Sequence, residues 1–172
     1  MCGIAGIFST RGNLENTEIS SMASDIQRRG PDKSAIKISE NHHAAFSRLS
    51  IVDLDDRAMQ PMLSANKRLQ ISFNGEIYNR HELKQSLKYE TRSQLTTTSD
   101  TEIFLEYISE YGLDRALNDA EGMFGFSLQD LQKNELYLCV DKFGQKPIYY
   151  GCSDKGVYYS SDFKSLVNLE QF

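Results

Sequence analysis

The spacing of apolar residues changes several times along the chain, and each change marks an element. Residues 2–9 form a nearly unbroken apolar run of strand length, and Arg11-Gly12-Asn13 supplies the turn after it. Ile19, Met22 and Ile26 then recur at the spacing of one helical face, which Arg29-Gly30-Pro31-Asp32 ends. Residues 35–38 and 44–52 read as strands joined by a turn at Asn41-His42-His43. Leu69, Ile71 and Phe73 alternate with polar residues, a half-buried strand that runs into Asn74-Gly75. A helix is expected over residues 80–87. A second starts at Ser99 or Asp100, with Glu102 in its first turn and Ile103, Phe104, Tyr107, Ile108 and Tyr111 as its apolar stripe, and Gly112 closes it.

The last third is strand-rich, at residues 123–128, 135–140, 147–150 and 157–160, with turns at Lys133-Asn134 and Asp154-Lys155-Gly156. Strands, then helices, then strands joined by hairpin-length turns predict antiparallel sheets covered by helices. That is an α+β sandwich, not a βαβ dinucleotide fold. Tyr149-Tyr150 and Tyr158-Tyr159 are expected to alternate faces and fill the interface between sheets.

A length of 172 residues predicts one domain, 1–172, able to bury roughly 70% of its unfolded surface. The 19 Lys+Arg against 24 Asp+Glu give a net charge of −5, which argues against a nucleic-acid surface. No apolar run reaches the roughly 18 residues of a membrane span, and the start lacks the basic region of a signal peptide. Cys2, Cys139 and Cys152 have neither even pairing nor metal-ligand spacing, so the expected compartment is the cytosol. His42 and His43 are adjacent and would face opposite sides of a strand, so no metal site is expected.

Chemistry is sought first at Cys2. Removal of Met1 would give one residue both a thiol and a free α-amine. Their ordinary pKa values, about 8.5 and 7.7–8, lie close enough for the amine to act as general base toward the thiol. Viewed alone, a cysteine beside Gly3, Ile4 and Ala5 reads equally as a small buried hydrophobe. Three polar motifs shift that balance: Arg48-Leu49-Ser50-Ile51-Val52, Asn74-Gly75-Glu76-Ile77-Tyr78-Asn79 and Ser99-Asp100-Thr101-Glu102. Together they could hold a free amino acid. An arginine can take an α-carboxylate through two parallel hydrogen bonds. Glu76 and Asp100 can accept from an α-ammonium, and an Asn amide and a Gly N–H can point at an oxyanion. Taken singly, an Asn-Gly also reads as a turn and a Ser-Asp as a helix cap.

These residues resemble a known family. Residues 1–8, Arg29-Gly30-Pro31-Asp32, residues 48–54, Gln60-Pro61, residues 74–79, residues 99–102, Gly122-Met123-Phe124, residues 143–150 and residues 161–166 occur in that family's order. The chain is similar throughout to the glutaminase domain of glutamine-dependent asparagine synthetases, class II glutamine amidotransferases of the N-terminal-nucleophile hydrolase type. The resemblance implies a four-layer αββα sandwich. It implies Cys2 as nucleophile, with Asn74 and the Gly75 N–H holding the oxyanion. Arg48 would bind the α-carboxylate of L-glutamine, and Asp100, Glu76 and the Gly75 carbonyl its ammonium, with backbone at Ile51 and Val52 lining the pocket. Glutamine would lose ammonia and pass through a γ-glutamyl thioester to glutamate, with no cofactor for that step.

Phe46-Ser47 and Gln27-Arg28 stand where relatives often carry further basic residues or His. The family's ATP-binding synthetase domain, with its Ser-Gly-Gly-x-Asp-Ser loop, is absent from this sequence. ATP and Mg are therefore expected only on a separate synthetase domain or subunit, and the ammonia acceptor and any homodimer are left open. Two other readings remain at this point: a non-catalytic glutamine-binding or regulatory module, and a subunit that only caps a synthetase.

Overall fold

The computed structural model describes residues 1–12, 14–49, 56–170 and 172. The apolar run at the start forms β1 (Gly3–Phe8), and the 3.6-period segment forms α1 (Asn16–Ile26), which tightens into a 3-10 turn. Strands β2 (Lys33–Ile38) and β3 (His42–Arg48) follow, then the short β4 (Met62–Leu63) and the long β5 (Leu69–Ile77). Four helices come next: α2 (Arg80–Ser86), α3 (Tyr89–Ser93), α4 (Asp100–Tyr111) and α5 (Leu113–Asp119). The chain closes with β6 (Gly122–Asp130), β7 (Glu135–Val140), β8 (Tyr149–Ser153), β9 (Gly156–Ser160) and α6 (Lys164–Val167). The strands form two antiparallel sheets, ordered β2-β3-β1-β9-β8 and β4-β5-β6-β7.

Strand pleating assigns each residue to a layer. The odd positions of β1 and β3, such as Ala5, Ile7 and Ala45, face α1 and α6 and pack on Ile19, Met22, Ile26, Leu166 and Leu169. On the other sheet the odd positions of β5 and even positions of β6 face α2, α4 and α5. There Phe73, Phe104, Phe124 and Phe126 form an aromatic cluster with ring centroids 5.6–6.1 Å apart. Each sheet therefore has helices on its outer face, and the expected α+β sandwich is what the chain forms.

The layer between the sheets is polar as well as apolar. Buried His42 lies with Nδ1 2.8 Å from Gln129 Oε1 on the opposite sheet and Nε2 2.7 Å from Tyr159 Oη. With Gln129 accepting, Nδ1 carries the proton and Nε2 accepts from the tyrosine hydroxyl. That arrangement needs a neutral ring, and burial holds the His42 pKa down to about 4.

Helix α4 anchors three loops through carboxylates spaced at i, i+4 and i+8. Ser99 caps it by accepting from the Thr101 N–H at 3.1 Å. Glu102 accepts from the backbone and hydroxyl groups of Thr96 and Thr97, an extended capping box. Glu106 accepts from Ala65 N at 2.7 Å, and Glu110 from Lys88 N and Thr91 Oγ1.

Several expectations are corrected. His42 and His43 lie inside β3 and are buried on opposite faces, and the turn sits just before them. Tyr159 faces the inter-sheet layer and Tyr158 faces α1, its hydroxyl donating to Glu18 at 2.9 Å. Tyr149 and Tyr150 do not fill that interface: they lie on the edge strand β8, and Tyr150 is 68% exposed. Helices α3, α5 and α6 and strand β4 have no counterpart among the predicted elements. The expected strand over 44–52 ends at Arg48, and its last residues lie outside the described ones. Among the described residues no helix is long and apolar enough to cross a membrane.

His42 makes stability depend on pH in a defined direction. Between about pH 6.5 and 4 the unfolded chain binds a proton at His42 that the folded chain does not, so stability is lost as pH falls through that window. The full shift corresponds to about 3 kcal/mol. Urea midpoints across pH 4–7 should fall more steeply for the native chain than for His42→Gln, and parallel curves would remove His42 as the source.

Candidate active site

One cavity of about 150 Å³ opens at the end of the sandwich where β1 begins and β3 ends, and its walls include Cys2, Arg48, Asn74, Gly75, Glu76 and Asp100. That is the scale of a cavity that takes a small ligand. Of the residues picked out in the sequence, Ile51 and Val52 lie outside the described ones. Cys2, Arg48, Asn74, Gly75, Glu76 and Asp100 all reach this one cavity.

Pleat and register explain the convergence. Cys2 continues the even series of β1 into the inter-sheet layer, and one step beyond the Gly3↔Ser47 pair it stands opposite Arg48. On the facing sheet, Asn74 and Glu76 belong to the even, inward series of β5. Asp100 is brought in by the N-terminus of α4, which packs along β5.

Cys2 is partly buried, and its Sγ lies 3.9 Å from the Leu49 carbonyl oxygen, a weak donor contact. Burial pushes the thiol pKa up, while the Leu49 contact, the terminal ammonium and Arg48 pull less strongly the other way. The Arg29 Nε donates to the Cys2 carbonyl at 3.4 Å and fixes the start of β1. Met1 is 56% exposed at the mouth of the cavity, where its Sδ lies 2.9 Å from Lys146 Nζ.

Asn74 is buried, yet its side-chain Nδ2 has no hydrogen-bond partner among the described residues. A buried unpaired amide donor costs about 1–3 kcal/mol, so such a group next to a cavity marks where a ligand atom would be accepted. Gly75 has φ +157°, and a Cβ there would come within 2.1 Å of the Met123 carbonyl oxygen and 2.6 Å of Phe124 Cα. Only glycine lets β5 and β6 approach this closely at the cavity wall.

Asp100 is buried, with Oδ2 accepting from Ile77 N and Oδ1 from Thr101 N, both at 2.9 Å. Desolvation raises its pKa despite those two bonds. The cavity wall thus carries a cation, Arg48, the carboxylates of Asp100 and Glu76, a thiol and an amide unsatisfied among the described residues. That distribution suits a zwitterion bearing a third, reactive polar group.

Sequence reasoning attached no role to Gln60, Thr101, Met123 or Lys146, which also line the cavity. All four lie within segments shared with the family, but nothing in their spacing shows where their side chains go.

Sandwich and cavity together fit a glutamine amidotransferase domain: a family model of that description matches residues 1–172, and the chain belongs to that family. It is 37% identical over 170 residues to asparagine synthetase (glutamine-hydrolyzing) 2 of Bacillus subtilis, a match covering 96% of this chain and 22% of the relative. Against asparagine synthetase B (glutamine-hydrolyzing) of Escherichia coli it is 37% identical over 172 residues, covering 97% of this chain and 30% of the relative. The chain therefore spans less than a third of the length of these relatives. Among solved structures, the glutamine phosphoribosylpyrophosphate amidotransferase of B. subtilis shares the fold with a TM-score of 0.77 at 20% identity, over 96% of this chain and 43% of that one.

The raised thiol pKa has a direct readout. With Met1 in place, alkylation of Cys2 by iodoacetamide, followed on its own peptide by mass spectrometry, should keep accelerating beyond pH 9. A plateau below pH 8 would show a thiolate stabilised instead.

Proposed function

We propose that this chain hydrolyses L-glutamine to glutamate and ammonia with Cys2 as nucleophile, and that the ammonia serves an asparagine-synthetase-like domain or subunit. The observation that carries this reading is the buried Asn74 amide, unpartnered among the described residues, in the same cavity as Cys2, the arginine and the two carboxylates. A hydrogen-bond donor held ready without an acceptor is what a developing oxyanion needs.

Arg48 takes the α-carboxylate of glutamine, and Asp100 and Glu76 take its α-ammonium, so the side-chain carboxamide is delivered to Cys2. The Cys2 amine accepts the thiol proton as Sγ bonds to the carboxamide carbon, and the carbonyl electron pair moves onto oxygen. Asn74 Nδ2 and the Gly75 N–H hold that oxyanion. Collapse of the intermediate breaks the C–N bond, the ammonium of Cys2 returns its proton to the leaving nitrogen, and ammonia departs from a γ-glutamyl thioester. Water, deprotonated by the same amine, attacks the thioester, and glutamate leaves with the thiol restored.

The mechanism requires removal of Met1, because a Cys2 nitrogen in peptide linkage has no basic lone pair. It also clears the cavity mouth, where Met1 sits. The relatives' printed names and their greater length support a synthetase partner outside this chain, and nucleotide chemistry would belong to that partner. Three unpaired thiols fit a reducing compartment such as the cytosol.

Glutamate release by the chain freed of Met1 should vanish in Cys2→Ala. Asn74→Ala should lower kcat about 100- to 1,000-fold, and Arg48→Ala should act mainly through KM, raising it roughly 10- to 100-fold. Release by the chain with Met1 still attached would overturn the amine's role. Binding of labelled glutamine without release in the processed chain would assign the cavity to a regulatory module.

A further inference from the structure

Strand β5 is paired along one edge by β6 and along the other by β4 only as far as Ile71. In an antiparallel strand successive N–H groups point to opposite edges. Tyr78 N donates to Glu121 O at the β6 end, so the even positions point that way. The odd positions point to the edge that β4 leaves uncovered. Along that edge Phe73 N donates to Gln60 Oε1 at 2.5 Å and Ile77 N donates to Asp100 Oδ2 at 2.9 Å. Gly75 N lies between these two and on the same edge. The N–H groups that flank it on this edge thus donate not to a strand but to two side chains, both in the cavity wall.

The geometry points to Gln60 as a positioning residue that stands in for the missing strand and keeps the Gly75 N–H open to the cavity. Its amide has two ends and uses both. Oε1 holds β5 one residue before Asn74, and Nε2 lies 3.4 Å from Thr101 Oγ1, one residue after Asp100. One buried side chain therefore ties the strand that carries the oxyanion donors to the helix start that carries the ammonium acceptor. A true strand at this edge would instead have offered a carbonyl to Gly75 N and closed the donor off. Gln60 secures the neighbouring position and stops there.

This inference rests on the glutaminase reading for its catalytic consequence but not for its geometry, and the test separates the two. Amide hydrogen exchange in the native chain should show Phe73 and Ile77 protected and Gly75 fast. Gln60→Met keeps the length of the side chain and removes both polar atoms, so Phe73 exchange should rise at least 10-fold toward that of Gly75. Gln60→Glu keeps an acceptor for Phe73 N and can accept from the Thr101 hydroxyl, so it should restore protection.

In glutamate release, Gln60→Met should lose about 10- to 100-fold in kcat with KM changed less than threefold, and Gln60→Glu should recover to within about fivefold. Unchanged Phe73 exchange in Gln60→Met would overturn the clamp. Faster exchange with native kcat would overturn its role in positioning. A native chain that releases no glutamate would sink the glutaminase reading, and the exchange pattern would still decide whether Gln60 holds this edge.

Discussion

Two sheets pressed face to face leave almost no water for the polar groups between them, and this molecule has many such groups. The constraint that each must find a partner inside the protein organises the layer. His42, Gln129 and Tyr159 satisfy one another across the gap. At the other end of the same layer the accounting stops closing: among the described residues the Asn74 amide has a donor and no acceptor. The rest of the sandwich supplies the rigidity that lets that deficit persist, with tightly packed cores on the outer faces of both sheets. A softer framework would rotate the amide onto a neighbouring carbonyl and the deficit would heal.

Much of this was legible in the sequence because period maps directly onto faces. The alternation of Leu69, Ile71 and Phe73 gave β5 and its outer face, and the stripe from Ile103 to Tyr111 with Ser99 before it gave α4 and its cap. Once β5 is a strand, Asn74 must face inward with Gln70 and Ser72. What failed depended on information that period does not carry. Tyr149 and Tyr150 have the pattern of a core strand, but β8 lies at the edge of its sheet, and sheet order is a tertiary property. Strand β4 is two residues long and α3 is polar in most positions, so neither has a pattern to read. Helix α5 begins at the residue after Gly112, a position that reads as a stop and serves as a corner.

The candidate site divides in the same way. Its charged members were legible because a thiol, a guanidinium and carboxylates announce their chemistry by residue type, and family likeness supplied their pairing. Gln60 was not, since its part is to complete the edge of a strand thirteen residues further on. A neutral amide that repairs a ladder has no signature until the strand that ends short, β4, is seen. The polar residues that shape a site can therefore be those whose chemistry looks blandest in sequence.

Helix α4 sets a limit on how this fold can vary. Glu102, Glu106 and Glu110 each hold a different loop, and four residues of helix advance about 6 Å. The helix thus works as a ruler whose graduations are carboxylates. Inserting or deleting one residue within it would turn every later graduation by about 100° and release the loops beyond that point together. Length changes should therefore collect in the loops that the ruler holds and be absent from the ruler itself, so that descendants of this chain can lengthen at their turns while keeping a helix of fixed count beside the cavity.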